Sequence, residues 1–280
     1  MKLLRYGEVG REKPGLLDKD GHVRDLSAHM KDVAGEVLSP DNLKRLAGLN
    51  AAELPRVPSG VRLGAPVASL SKLIAIGLNY ADHAAEAGMQ LPSEPIFFMK
   101  ALTSICGPDD AVEKPRGSTK LDWEVELGFV IGTKAKYVSE ADAMNYVAGY
   151  CLGNDVSERN FQLERQGTWT KGKSHDTFGP LGPWLVTKDE IADPHNLKMW
   201  LDVNGERQQN GSTATMIFKL PKLISYLSQF MTLLPGDVVV TGTPPGVGSG
   251  KKPPRFLNVG DVVTLGIDGL GTQRQQIVAA

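Results

Sequence analysis

Short apolar runs broken by Gly, Pro, Asn and Asp dominate the chain, and one stretch repeats clearly at helical spacing. That stretch opens at Pro221, where Leu223, Ile224, Leu227, Phe230 and Met231 form an apolar stripe. It predicts a core-facing helix with no cofactor implied. Strands are predicted over residues 1–6, 14–17 and 23–26, with Lys19-Asp20-Gly21 as a hairpin turn. Further strands are predicted over 73–77, 97–100, 112–114, 123–131, 184–186, 198–203, 207–209, 237–241, 262–267 and 273–278. Asn204-Gly205 is a type I′ hairpin signal. A helix is expected from Pro40 with Ser39 as its cap, and another of about two turns with Asn79 as its cap and Gly88 as its stop. Asp155 is read as the end of a strand entering a helix at Val156. Pro55, Pro58, Gly60, Gly64 and Pro66 punctuate a linker-like segment, so residues 1–70 read as a small N-terminal domain and 71–280 as the main one. Strands outnumber helices with no regular βαβ alternation, which predicts a β-rich mixed α+β fold.

Within this pattern Leu121-Asp122-Trp123-Glu124-Val125-Glu126-Leu127 is anomalous. In a strand, Asp122, Glu124 and Glu126 share one face, while Trp123, Val125 and Leu127 take the other. Burying like charges unpaired would cost several kcal/mol each, on the order of the usual desolvation penalty. Either that face is wet or a cation sits there. The continuation into Gly128-Phe-Val-Ile-Gly132 has the composition of a buried strand.

Composition narrows the functional classes. With 41% hydrophobic and 22% charged residues, the chain is an ordinary globular one, and 31 basic against 32 acidic residues leave no basic stripe for nucleic acid. Cys106 and Cys151 have no CxxC spacing and are expected as reduced core thiols. Met1-Lys-Leu-Leu-Arg5 lacks a signal-peptide core, and no apolar run approaches the ~20 residues of a membrane span. A soluble, cytoplasmic protein without membrane or nucleic-acid partners is expected.

Three constellations could carry chemistry. On a helix, Asp155, Arg159 and Gln162 would fall at about 0°, 40° and −20°, on one face, as either a solvated ion pair or part of a site. Glu124, Glu126 and Asp155 together would make a hard, all-oxygen set suited to Mg²⁺ or Mn²⁺. His83 and Glu86, three apart, could form a carboxylate-oriented base or a surface pair. Lys173 and Thr243 lie in polar and Gly/Pro-rich loops. The run Gly242 to Lys252 fails as a phosphate loop, because 245 is Pro and 252 is Lys.

Six segments in order resemble the motif set of the fumarylacetoacetate hydrolase family: Gly77-Leu-Asn-Tyr-Ala-Asp-His-Ala-Ala-Glu86, Pro95-Ile-Phe-Phe-Met-Lys100, Asp122-Trp-Glu-Val-Glu126, Asn154-Asp-Val-Ser-Glu-Arg-Asn-Phe-Gln162, Lys173-Ser-His-Asp-Thr-Phe-Gly-Pro180 and Thr241-Gly-Thr-Pro-Pro-Gly-Val-Gly248. The resemblance implies a mixed β-sandwich roll, usually a homodimer, with Mg²⁺ or Mn²⁺ on Glu124, Glu126 and Asp155. It also implies a water-activating dyad of His83 and Glu86 on a lid, a catalytic Lys173, and substrate contacts from Tyr80, Arg159, Gln162 and Thr243. Ala101 and His175 depart from the residues common at those positions. The implied activity is hydrolysis of a C–C bond in a 2,4-dioxo acid, with a 2,4-diketo-3-deoxy sugar acid of rhamnonate or fuconate type as the first choice. A 2-hydroxyhepta-2,4-diene-1,7-dioate isomerase, an oxaloacetate decarboxylase, a ureidoglycolate lyase and a non-catalytic 2-oxo-acid binding protein are the alternatives.

Overall fold

The computed structural model describes residues 1–86 and 88–280. Its centre is the strand Val125–Ile131, buried at every position, as befits a strand covered on both faces. It pairs antiparallel with Val147–Asn154, Val125 opposite Asn154, and with Val238–Val240 on its other edge. Val238–Val240 in turn lies parallel to Leu73–Gly77, whose antiparallel partner Ile96–Lys100 ends the sheet. On the far side the ten-stranded sheet continues through Leu185–Thr187 to Lys2–Tyr6, Lys13–Leu17 and Val23–Asp25. A second sheet of five strands runs Glu206–Ser212, Lys198–Val203, Val262–Ile267, Gly271–Ala279, Val112–Lys114.

Alternation along the central strand divides the core. Val125, Leu127, Phe129 and Ile131 join Met199, Leu201, Val263 and Leu265 from the second sheet in the main cluster. Val130 belongs instead to a cluster with Leu3, Leu38, Ala148 and Val238. Trp123 sits in the main cluster, so Glu124 and Glu126 are turned away from it, as period two requires. The result is a strand-rich mixed α+β roll. Among the described residues no helix is long and apolar enough to cross a membrane.

Several local expectations have direct counterparts. Asn204 and Gly205 both take positive φ, 53° and 80°, the type I′ geometry that joins Lys198–Val203 to Glu206–Ser212. Pro221 occupies the first turn of the helix Leu220–Phe230. Cys106 and Cys151 are free thiols.

Others need correction. No helix starts at Val156: Ser157–Glu158 pairs as a short strand with Leu121–Asp122, and the helix is Arg159–Leu163. The physical reason is Glu158, whose carboxylate accepts the Asn160 N–H as a cap and the Lys120 N–H from across the pair. Asp155 therefore precedes the helix and shares no face with Arg159. Asn79 is not a cap: its side chain donates to Thr241 O and Phe218 O and accepts from Phe218 N–H, tying two distant segments together. The strands of the N-terminal residues 1–70 join the main sheet. Leu3 lies opposite Leu185 in the main sheet, and Leu3, Leu16 and Leu26 share a cluster with Ala148 and Val240.

Candidate metal and active site

Three carboxylates meet where the central strands end. Glu126 comes from Val125–Ile131, Glu124 directly precedes it, and Asp155 follows Val147–Asn154. A backbone bond from Asp155 N–H to Glu124 O, 2.9 Å, locks the two segments together. The three side chains are buried and offer oxygens within 4.8 Å of one another. Three cations surround them. Arg159 spans Asp122 (Nε to Oδ2, 2.8 Å) and Glu124 (Nη2 to Oε1, 2.6 Å). Lys173 Nζ donates to Glu124 Oε2 and Asp155 Oδ2, each at 2.7 Å, and Lys100 donates to the other Asp155 oxygen.

These partners are shared unequally. Burial alone would raise the Glu124 pKa, but Lys173 and Arg159 hold it at about 2. Burial and the neighbouring charges of Asp155 and Glu124 push Glu126 well above the usual carboxylate range. Its carboxylate accepts the Gly242 N–H at 2.8 Å and, among the described residues, pairs with no cation. Burial would lower the Lys173 pKa, yet Asp155 and Glu124 more than offset it and leave it raised.

The donor set fits a hard divalent ion. With every group ionised, Asp122, Glu124, Glu126 and Asp155 would set four negative charges against three positive ones from Lys100, Arg159 and Lys173. A dication would turn that one-charge deficit into a one-charge excess, which a bound anion would neutralise. An all-oxygen triad with an uncompensated carboxylate suits Mg²⁺ or Mn²⁺ better than a thiolate-seeking metal.

Above the triad lies the short helix Ala81–Glu86, where His83 Nδ1 is 3.1 Å from Glu86 Oε2. The Glu86 carboxylate is itself held at 3.1 Å by the Gly246 N–H, and a Cβ at Gly250 would come within 3.0 Å of its carboxyl carbon. The run that fails as a phosphate loop thus binds carboxylates through its amides instead. Gly248 N–H and Ser249 N–H both donate to Asp122, at 2.6 and 3.0 Å.

A cavity of about 810 Å³ joins these parts. It is lined by His83, Glu86, Glu124, Glu126, Asp155, Arg159, Gln162, Lys173 and Thr243, which were all singled out from sequence. Tyr80 is the exception. Its ring is fully buried in the main core with its hydroxyl on Met199 Sδ, and it is not among the residues that line the cavity. Arg159 bridges Asp122 and Glu124 rather than pairing with Asp155, because Asp155 lies off the helix. Thr243 Oγ1 is occupied by Val125 O and the Gln209 amide. Sequence reasoning gave no role to Lys100, Asp122 or Trp169. A lone lysine ending an apolar strand was the available signal for Lys100.

The profile of the C-terminal fumarylacetoacetate (FAA) hydrolase family matches residues 72–278. A Burkholderia cenocepacia protein provisionally named a hydrolase is 62% identical over 276 residues, 98% of each chain. The solved 2-hydroxyhepta-2,4-diene-1,7-dioate isomerase of Mycobacterium marinum is 33% identical with a TM-score of 0.78, covering 100% of this chain and 98% of that one. The maleylpyruvate hydrolase of Sphingobium sp. SYK-6, solved with manganese(II) and pyruvate, is 28% identical with a TM-score of 0.83 and full coverage of both chains (100% each).

Proposed function

Because the chain belongs to the fumarylacetoacetate hydrolase family, we propose that it acts, as a homodimer, as a metal-dependent hydrolase of a 2,4-dioxo acid, releasing pyruvate and a second acid. One observation carries the reading: the buried triad and the His83–Glu86 pair line the same cavity. A site for binding alone has no need of an oriented base. The maleylpyruvate hydrolase, solved with manganese(II) and pyruvate, supports both the metal class and the product.

Mg²⁺ or Mn²⁺ held by Glu124, Glu126 and Asp155 would supply a Lewis acid and template for the substrate's carboxylate and 2-oxo oxygens. Glu86, fixed by Gly246, is placed 3.1 Å from His83 Nδ1 and would orient the ring by accepting the hydrogen bond donated there, with Nε2 turned to the water. His83 then takes a proton from water as the water oxygen adds to the C4 carbonyl. Re-forming that carbonyl breaks the C3–C4 bond, and its electron pair passes to C3 to give the enolate of pyruvate. Protonation at C3 completes the reaction, in which one water is consumed. Lys173 and Gln162 carry the donors that stabilise the oxygen gaining negative charge. Phe98 and Trp169, ring centroids 5.2 Å apart, form an apolar wall that limits bulk water.

Likeness to the diene-dioate isomerase favours a second reading, isomerisation on the same residues. The test is a panel of 2,4-dioxo acids, including a 2,4-diketo-3-deoxy sugar acid, assayed with Mg²⁺ or with EDTA in ¹⁸O-water. Pyruvate release, abolished by EDTA, with ¹⁸O in the second acid is expected. Substrate rearrangement without pyruvate or ¹⁸O uptake would overturn hydrolysis in favour of isomerisation.

A further inference from the structure

Val125 lies between the two glutamates of the triad, at a point where their strand loses its neighbour. The ladder with Val238–Val240 covers Gly128 to Val130, and Thr241 extends it to Leu127 O through its N–H and its hydroxyl, at 3.0 and 2.9 Å. Gly242, at φ +91°, then leaves the ladder and turns its N–H to Glu126. Continued at the same register, Thr243 would lie opposite Val125, three residues beyond the Gly128–Val240 pair on each strand. The strands part where the cavity opens, since Glu126, Gly242 and Thr243 all line it. Val125 is fully buried, so its N–H and C=O must find partners other than that strand's backbone.

Two side chains take the strand's place. Gln209 Oε1 accepts the Val125 N–H at 3.0 Å, and the Thr243 hydroxyl donates to Val125 O at 2.9 Å. Gln209 Nε2 donates to that same hydroxyl and to Pro244 O, each at 2.8 Å. Gln209 reaches this point from the second sheet because of a bulge. Leu201 lies opposite Gln209 and Asp202 opposite Arg207, so Gln208 is an extra residue in Glu206–Ser212. Without it Arg207 and Gln209 would share a face; with it Arg207 is exposed and Gln209 fully buried.

We propose that Gln209 is a positioning residue for the metal site: it fixes the peptide between Glu124 and Glu126, and so the directions in which the two carboxylates leave the strand. This rests on the metal-dependent reading above. A small hard ion is demanding about where its oxygens stand, and the groups that hold its ligands in place are commonly worth about 10- to 100-fold in affinity. Any side chain of similar size could fill the space of Gln209. Only an amide makes its three hydrogen bonds.

The experiment is a calorimetric titration of the full chain with Mn²⁺ alone. Gln209→Met keeps the length of the side chain and removes the three bonds, and its Kd for Mn²⁺ should rise about 10- to 100-fold over the wild type. Val203→Ala separates positioning from packing, because Val203 is fully buried in the neighbouring strand Lys198–Val203. It should lower Tm and leave the Mn²⁺ Kd at the wild-type value. An unchanged Kd in Gln209→Met, or an equal rise in Val203→Ala, overturns the positioning role. If Gln209→Met does not fold, Thr243→Val decides, since it removes a bond from both Val125 and Gln209. Weaker Mn²⁺ binding by that variant supports the role, and wild-type binding overturns it. A wild type that binds no Mn²⁺ would overturn the metal reading itself, and this inference with it.

Discussion

Glu126 is the carboxylate whose charge has the least compensation in the cluster, since its neighbours of like sign are Asp155 and Glu124 and its one close partner is an amide. Replacing it with Gln keeps an acceptor for Gly242 N–H and removes the buried charge. The metal-free Glu126→Gln protein should gain on the order of 1–2 kcal/mol, a Tm rise of roughly 2–8 °C for a chain of this size. Its metal-induced rise in Tm should vanish. A metal-induced shift equal to that of the wild type would exclude Glu126 as a ligand. His83 is paired with Glu86 rather than with the triad, so His83→Ala should lower kcat by about 10²–10⁴-fold while leaving a Mn²⁺ titration unchanged. An unaltered kcat would remove His83 from the mechanism. At this scale the residue types were legible and their partners were not: Lys100 and Lys173 both grip Asp155, from segments far apart in the chain.

Among the elements, the loop carrying Gly246, Gly248 and Gly250 is the clearest case of backbone serving the site. Gly246 takes φ +105° with an added Cβ only 2.0 Å from Gln208 O, and its N–H holds Glu86. Gly250→Ala should displace the Glu86 carboxylate and reduce kcat without weakening metal binding; calorimetry on the same sample separates the two effects. The helix Leu220–Phe230 supplies a pH-dependent contact. Its Leu220 N–H, one of the amides a helix leaves unpaired, donates to His195 Nε2 at 3.1 Å. Burial and then the nearby Lys219 lower the His195 pKa below 6.5. The unfolded chain therefore takes up its proton first as pH falls, so this contribution is whole above pH 6.5 and lost as pH drops through the folded value. Tm should decline more steeply below neutrality in the wild type than in His195→Asn, and parallel curves would show that His195 contributes nothing.

For the molecule as a whole, the sheet runs without interruption from the N-terminal hairpin to the site. Lys2–Tyr6 pairs with Leu185–Thr187, which pairs with Val147–Asn154, the strand that leads into Asp155. Leu3 and Leu16 are buried beside Leu185 and Ala148 in one cluster. A chain of residues 71–280 would expose that sheet edge and apolar surface. It should be far less soluble and lack the cooperative unfolding of the full chain, as read by circular dichroism on heating. A wild-type Tm for the truncated chain would make residues 1–70 an independent domain.

The sequence by itself determined the strand-rich class, the type I′ hairpin at Asn204-Gly205, the amphipathic helix after Pro221, and the residue types of a buried acidic triad with a His–Glu pair nearby. These depend on side-chain period and on turn chemistry within a few residues, which local sequence encodes. Tertiary structure alone decided that Asp155 lies before a helix, that Tyr80 is core, and that Arg159, Lys173 and Lys100 divide four carboxylates so that Glu126 is left over. Charge compensation in a buried cluster is a sum over partners brought together from remote segments at distances below 3 Å, and no local pattern carries that sum.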